Sequence, residues 1–149
     1  QYYRFGVSKC FDTGLTDNYF IEAIVERREV GEQLTSIGIA FGMNNTKSRY
    51  YTFGIYPEGN FSIYKVTYVG SGQVTFKNHN KTFDLKKAYK LKVVVNQPDL
   101  SFYINDELVH KMPYNNATFY GNYFGLYAFH HQTIKVHQLT VKAINTNHK

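Results

Sequence analysis

Residues 89–114 read YKLKVVVNQPDLSFYINDELVHKMPY. Leu91, Val93 and Val95 alternate with Lys90 and Lys92, so one side of this run is apolar and the other wet. Asn96-Gln97-Pro98-Asp99 is a turn, because proline fixes φ and Asn and Asp tolerate turn conformations. Leu100, Phe102 and Ile104 then alternate with Ser101 and Tyr103. Asn105-Asp106 makes a second turn, and Leu108 to Met112 forms a third run. Three extended runs joined by tight turns predict an antiparallel meander and exclude a nucleotide-binding α/β arrangement.

The same period of two continues outward from this meander. Tyr2 to Val7 reads as a short strand, and 11–18 as a turn-rich loop. Tyr19 to Glu29 is a long strand, with Tyr19, Ile21, Ala23 and Val25 on one face and Phe20, Glu22, Ile24 and Glu26 on the other. A turn is expected over 31–35. Ser36 to Met43 turns Ile37, Ile39 and Phe41 one way and Ser36, Gly38, Ala40 and Gly42 the other. A polar loop covers 44–48. Arg49 to Tyr56 points Tyr51, Phe53 and Ile55 inward. Pro57-Glu58-Gly59-Asn60 is a hairpin turn, and Phe61 to Tyr68 returns. Gly70-Ser71-Gly72 reads as a turn, Gln73 to Phe76 as a short strand and 78–81 as a loop. No stretch has a helical period and no repeat is evident. Short strands at regular spacing predict an all-β, two-sheet antiparallel sandwich.

The length of 149 residues suits one domain with one core, here residues 1–149, as part of a larger protein. Tyr 14 and Phe 12 make an aromatic-rich chain, as pleated surfaces favour. No apolar run approaches the roughly 20 residues that span a bilayer, so no membrane span is expected. Lys+Arg 17 against Asp+Glu 11 gives a formal charge of +6. Those charges are spread along the chain, which argues against nucleic acid as a partner. Arg27-Arg28 and Lys86-Lys87 read as solvated faces or guards of an edge strand. Cys10 is the single cysteine, so no intrachain disulfide forms, and it reads as a small buried or half-buried thiol. Glycosylation sequons at Asn44, Asn60, Asn80 and Asn116 hint at a secreted or cell-surface location.

Two segments carry a resemblance. Phe102-Tyr103-Ile104-Asn105-Asp106-Glu107-Leu108-Val109 resembles the late hairpin of concanavalin A-like lectin/glucanase domains, with Glu107 where that family usually has glycine. Tyr120-Gly121-Asn122-Tyr123-Phe124-Gly125-Leu126-Tyr127 resembles the strand that follows, and Gln132 to Val141 the closing strand. The resemblance implies a jelly-roll sandwich whose concave sheet carries the ligand. It is specific for a fold and not for an activity, because that superfamily holds lectins, polysaccharide-cleaving enzymes and laminin G-like modules.

The outward positions of the central strands then become the candidate surface. Gly38, Ala40 and Gly42 form a floor of small residues, flanked by tyrosines. Sugars suit such a surface, since their C–H faces pack on aromatic rings and their hydroxyls bond to phenols, amides and charged tips. The candidate ligand-binding residues are Tyr50, Thr52, Tyr56, Ser62, Tyr64, Lys92, Tyr103 and Glu22, with Lys90 as a further neighbour. The expected function is non-catalytic recognition of carbohydrate. A protein-covered or structural sandwich is the alternative, since Tyr and Thr also favour a plain solvent face. A glycoside hydrolase is the second alternative.

The residues speak against catalysis. The family 16 glycoside hydrolases carry E-x-D-x-x-E on a concave strand, and Glu22-Ala23-Ile24-Val25-Glu26 is the nearest match. Ile24 stands where the Asp belongs and Glu26 comes one residue early. Glu22 and Glu26 would lie about 13 Å apart along a strand, beyond the roughly 5 to 9.5 Å of paired glycosidase carboxylates. They read as surface groups bridged to Arg27 and Arg28. His130-His131 face opposite ways on a strand and His110 and His137 lack nearby carboxylates, so no zinc site is expected. Asp12, Asp17 and Asn18 are possible calcium donors in the first loop, without a fixed-spacing motif. No cofactor is expected. No nucleophile elbow or phosphate loop is present.

Overall fold

A computed structural model describes residues 2–3, 6–15, 18–29, 36–67, 69–78, 83–84, 87–115, 119–128 and 133–144. Among them there is no helix. The chain runs through β1 (Tyr2–Tyr3), β2 (Gly6–Asp12), β3 (Tyr19–Glu29), β4 (Ile37–Met43), β5 (Tyr50–Ile55) and β6 (Asn60–Thr67). It continues through β7 (Gly70–Asn78), β8 (Ala88–Asn96), β9 (Asp99–Ile104), β10 (Glu107–Pro113), β11 (Tyr123–Ala128) and β12 (Thr133–Ala143). One six-stranded sheet has the order β1-β12-β3-β8-β9-β10, and the other β2-β11-β4-β5-β6-β7. All pairings are antiparallel. This is the two-sheet sandwich that the alternation predicts.

The two inner faces meet in one core. Tyr19, Ile21, Ala23 and Val25 of β3 and Leu91, Val93 and Val95 of β8 come from the first sheet. Ile37, Ile39 and Phe41 of β4, Tyr51, Phe53 and Ile55 of β5, and Phe61 and Ile63 of β6 come from the second. Phe102 of β9 joins them, with ring centroids 5.1 Å from Phe53 and 5.7 Å from Phe41. The meander forms as read. Asn105 and Asp106 have φ of 49° and 69°, which is the two-residue type I′ geometry that the right-handed strand twist favours. Glu107 opens β10 opposite Ile104, so the missing family glycine does not disturb the hairpin.

Three expectations require correction. The strand start near residue 2 is two strands in different sheets, and β2 reaches Asp12 instead of stopping at a loop from residue 11. The Asp12 carboxylate accepts from Gly14 N–H at 2.9 Å, and Gly14 has a φ of 70°, so the turn falls beyond Asp12. The Phe11 ring packs tilted against that of Phe124, centroids 5.4 Å apart, which adds to the pairing of β2 with β11. Gly70-Ser71-Gly72 is not a turn. Gly70 pairs with Thr67, and the whole segment is the start of β7. Arg27 is not a solvated or edge guard. β3 lies between β12 and β8, and Arg27 points inward with 6% of its surface exposed. Its Nη2 donates to the Ile55 carbonyl at 2.8 Å, tying the two sheets together. Burial brings its pKa down to about 10. The expected turn at 31–35, the loop residues 79–81, Lys86, His130-His131 and the sequons at Asn80 and Asn116 fall wholly or partly outside the described residues, as does Asp17.

A second inter-sheet tie sits at the edges, where Lys77 of β7 and His110 of β10 meet at 3.2 Å between Nζ and Nδ1. The ammonium donates, so the imidazole accepts and stays neutral. Burial first, and Lys77 second, lower the His110 pKa below 6.5. The folded chain therefore binds this proton less readily than the unfolded one, and stability is lost as pH falls below about 6.5. Urea midpoints at pH 7.5 and 5.5 will show a smaller acid loss in His110→Gln than in the parent. Equal losses would remove His110 as the cause.

Candidate functional site

The outer face of the second sheet is built from strand parity. Since Tyr51, Phe53 and Ile55 point into the core, Tyr50, Thr52 and Gly54 point out. The same rule turns Gly38 and Ala40 of β4 outward, and Ser62, Tyr64 and Val66 of β6. The register then lays these residues in rows. One row is Tyr127, Gly38, Gly54, Ser62 and Phe76 across β11-β4-β5-β6-β7. The adjacent row is Cys10, Gly125, Ala40, Thr52, Tyr64 and Gln73.

The floor of this face is covered by the chain's own rings. Tyr127 lies across the sheet, passing Gly38 in register, and its hydroxyl takes the place where a Cβ on Gly54 would stand. Two adjacent glycines make that trough. The Tyr127 hydroxyl is 3.0 Å from Ser36 Oγ and also bonds to Thr52. It is fully buried, which drives its phenol pKa well upward. Next to it, Ser62 Oγ donates to the Tyr56 hydroxyl at 3.3 Å. Ser62 is 0% and Thr52 4% exposed although both face outward. The expected open floor is therefore a buried layer of hydroxyls beneath tyrosine rings.

The accessible part lies toward β7. Phe76 is 43% exposed, and its ring sits 5.3 Å from that of Tyr56. Tyr64 bonds to Tyr56 and donates to Gln73 Oε1 at 3.4 Å. Burial, then Tyr56, raises the Tyr64 pKa, so this phenol stays neutral. At the other end, burial and the nearby Cys10 raise that of Tyr50. The result is an exposed aromatic surface edged by hydroxyl and amide groups, each able to donate or accept.

The structure divides the expected residues between two sheets. Tyr50, Thr52, Tyr56, Ser62 and Tyr64 share this face or its rim. Glu22, Lys92 and Tyr103 do not join them. They form a row across β3, β8 and β9, on the outer face of the opposite sheet. Lys92 Nζ lies there over the Phe20 ring at 4.4 Å and the Tyr103 ring at 5.9 Å. Lys90 is on that sheet too, paired with Asp106 at 3.3 Å. Arg27 lies inward on β3 and bonds to the Ile55 carbonyl, whereas Glu26 faces the other way. Glu26 meets His137 Nε2 at 2.8 Å. Cys10 is half-buried on the β2 edge of the tyrosine face. Among the described residues, no group of three His, Cys, Asp or Glu side chains could hold a metal.

Phe76, Gln73 and Tyr127 complete the surface, and reading the sequence missed them. The alternation of Gln73-Val74-Thr75-Phe76 carried a signal. It lacked a face, because a bulge between Ile63 and Tyr64 sets the pairing of β7. The role of Tyr127 depends on β11 pairing with β4 and on the room left by Gly38 and Gly54, which alternation within β11 does not reveal.

No protein-family model matches the chain. No curated protein matches it in sequence. Solved structures do match in shape. The carbohydrate-binding module CBM66 from Bacillus subtilis superposes with a TM-score of 0.70 at 14% identity, over 91% of this chain and 78% of that one. Sheep galectin-11, solved with glycerol, gives 0.69 at 10% identity over 90% and 96%. The alginate lyase AlgAT5, of polysaccharide lyase family 7, gives 0.62 at 11% over 91% and 62%. The fold these structures share with this chain is a jelly-roll β-sandwich. At these identities the likeness is one of fold alone.

Proposed function

We propose that the chain is a non-catalytic carbohydrate-recognition module that binds sugar on the outer face of β5, β6 and β7. The observation that carries this reading is the exposed Phe76 ring beside Tyr56 and Tyr64, edged by the Gln73 amide. An aromatic ring takes the C–H face of a sugar, and hydroxyl and amide groups at its edge bond to the sugar hydroxyls. Thr52 and Ser62 act beneath, holding Tyr127 and Tyr56 in place. The two-sheet architecture as a whole is similar to that of a carbohydrate-binding module and of galectins, which supports this reading. The non-catalytic part of the reading rests on chemistry. Hydrolysis of a glycoside uses two carboxyl groups flanking the bond, and the described outward positions of β4 to β7 carry none.

Titration against a glycan panel tests this. Saturable binding is expected, weakened about tenfold or more by Tyr64→Ala and by Phe76→Ala, which is ~1.4 kcal/mol or more each. Both side chains sit at the surface, so the variants will unfold at nearly the parent temperature. Absence of any glycan binding by the folded chain would overturn the proposal and leave the face to a protein partner.

A further inference from the structure

The charge of the chain and the charge of its tyrosine face differ. The chain carries +6, which by itself would favour anionic ligands. Among the described residues, the outward positions of β4, β5 and β6 are Gly38, Ala40, Tyr50, Thr52, Gly54, Asn60, Ser62, Tyr64 and Val66, and none is ionised. Gln73 and Phe76 continue the neutral surface on β7. Asp12 faces outward on β2, four strand spacings or about 19 Å from β6, and its carboxylate is engaged by Gly14. Lys47 acts on Cys10 and Arg49 lies 5.9 Å from the Tyr120 ring centre. Lys77 turns away to His110.

The lysines that dominate the opposite sheet, among them Lys90, Lys92, Lys111 and Lys142, lie beyond a core about 10 Å thick. Their side chains and the tyrosine rings project to opposite sides of that core, so they stand more than one Debye length of about 10 Å apart at 0.1 M salt, and the solvent-borne part of their attraction is largely screened. Arg27, whose charge is felt at Tyr127 from beneath the face, is buried and directed at the Ile55 carbonyl. Among the described residues, an anionic group arriving at Tyr56 and Tyr64 would shed water and meet neutral hydroxyl and amide dipoles. Those hydroxyls already bond to one another. An ionised ligand that loses hydration without gaining a counter-charge is disfavoured, whereas a sugar hydroxyl exchanges one neutral hydrogen bond for another.

We propose that the face selects uncharged glycan units and discriminates against uronate, sialylated and sulfated ones. This rests on the glycan-binding role proposed above. The test presents neutral glycans beside their sialylated and sulfated counterparts, and galactan beside polygalacturonate, to the whole chain. Binders are then titrated at 50 and 500 mM sodium chloride. The expected result is preference for the neutral member of each pair, with less than a twofold change in Kd between the two salts. Tighter binding of the charged member, weakened tenfold or more by salt and abolished in Phe76→Ala, would overturn the selectivity while keeping the site. Charged-glycan binding that survives Tyr64→Ala and Phe76→Ala but is lost in Lys92→Ala would overturn the selectivity and the site together. Failure of every glycan to bind would overturn the underlying role, and this inference with it.

Discussion

Phe102→Ala will lower the free energy of unfolding by about 3–5 kcal/mol, read as a shift of the urea midpoint. Phe102 is completely buried and comes from β9 of the first sheet. Its ring contacts Phe53 and Phe41 of the second sheet and lies 6.0 Å from His110. Alanine removes the ring and leaves a void between two backbones that are fixed by their own hydrogen-bond ladders, so collapse can repair little of it. The natural control is Phe76→Ala, a surface phenylalanine of the same chemistry, which will cost below about 1 kcal/mol. A Phe102→Ala chain as stable as Phe76→Ala would contradict the two-layer packing.

Gly38→Ala is the second large effect, although it adds a single methyl group. A Cβ there would run into the Phe53 carbonyl oxygen, with Gly54 Cα at 2.7 Å and the Phe53 carbonyl carbon at 2.8 Å. All three are backbone atoms, so β4 and β5 must move apart to admit it. Overpacking of this kind costs about 3 kcal/mol, or roughly 6–12 °C in Tm for a chain of this size. The damage reaches the tyrosine face as well, because Tyr127 passes Gly38 on its way to Gly54, and glycan binding will weaken with stability. Gly72→Ala on β7 is the comparison. Nothing lies within 4 Å of its Cβ position, so it will be neutral or slightly stabilising. Equal stability of the Gly38 and Gly72 variants would contradict the close approach of the strands.

Both results follow from how much of the molecule local sequence can encode. Alternation at Ile37, Ile39 and Phe41, at Leu91, Val93 and Val95, and at Leu100, Phe102 and Ile104 declares which side of each strand is buried. The Asn105-Asp106 pair declares a tight hairpin. These are short-range facts of pleat and turn chemistry, and the structure repeats them. The candidate site needed more. Alternation says that Lys92, Tyr103 and Tyr64 all face outward, but not from which sheet. That depends on β8 leaving β7 to pair with β3, with β9 following beside β8, a long-range choice that no spacing records. Arg27 has the inward parity of Val25, yet its charge argued for solvent, and the Ile55 carbonyl across the core helps reconcile the two. Tyr127 becomes part of the face through the pairing of β11 with β4 and through glycines on two other strands. Phe76 gains its meaning from Tyr56, twenty residues earlier.

The most direct measurement is an amide chemical-shift titration of the isotopically labelled chain with the best-binding neutral glycan of the panel. Shifts are predicted to cluster at Tyr56, Ser62, Tyr64, Gln73 and Phe76, along β5, β6 and β7, with Glu22, Lys92 and Tyr103 unmoved. A cluster on β3, β8 and β9 with the tyrosine face silent would contradict the account.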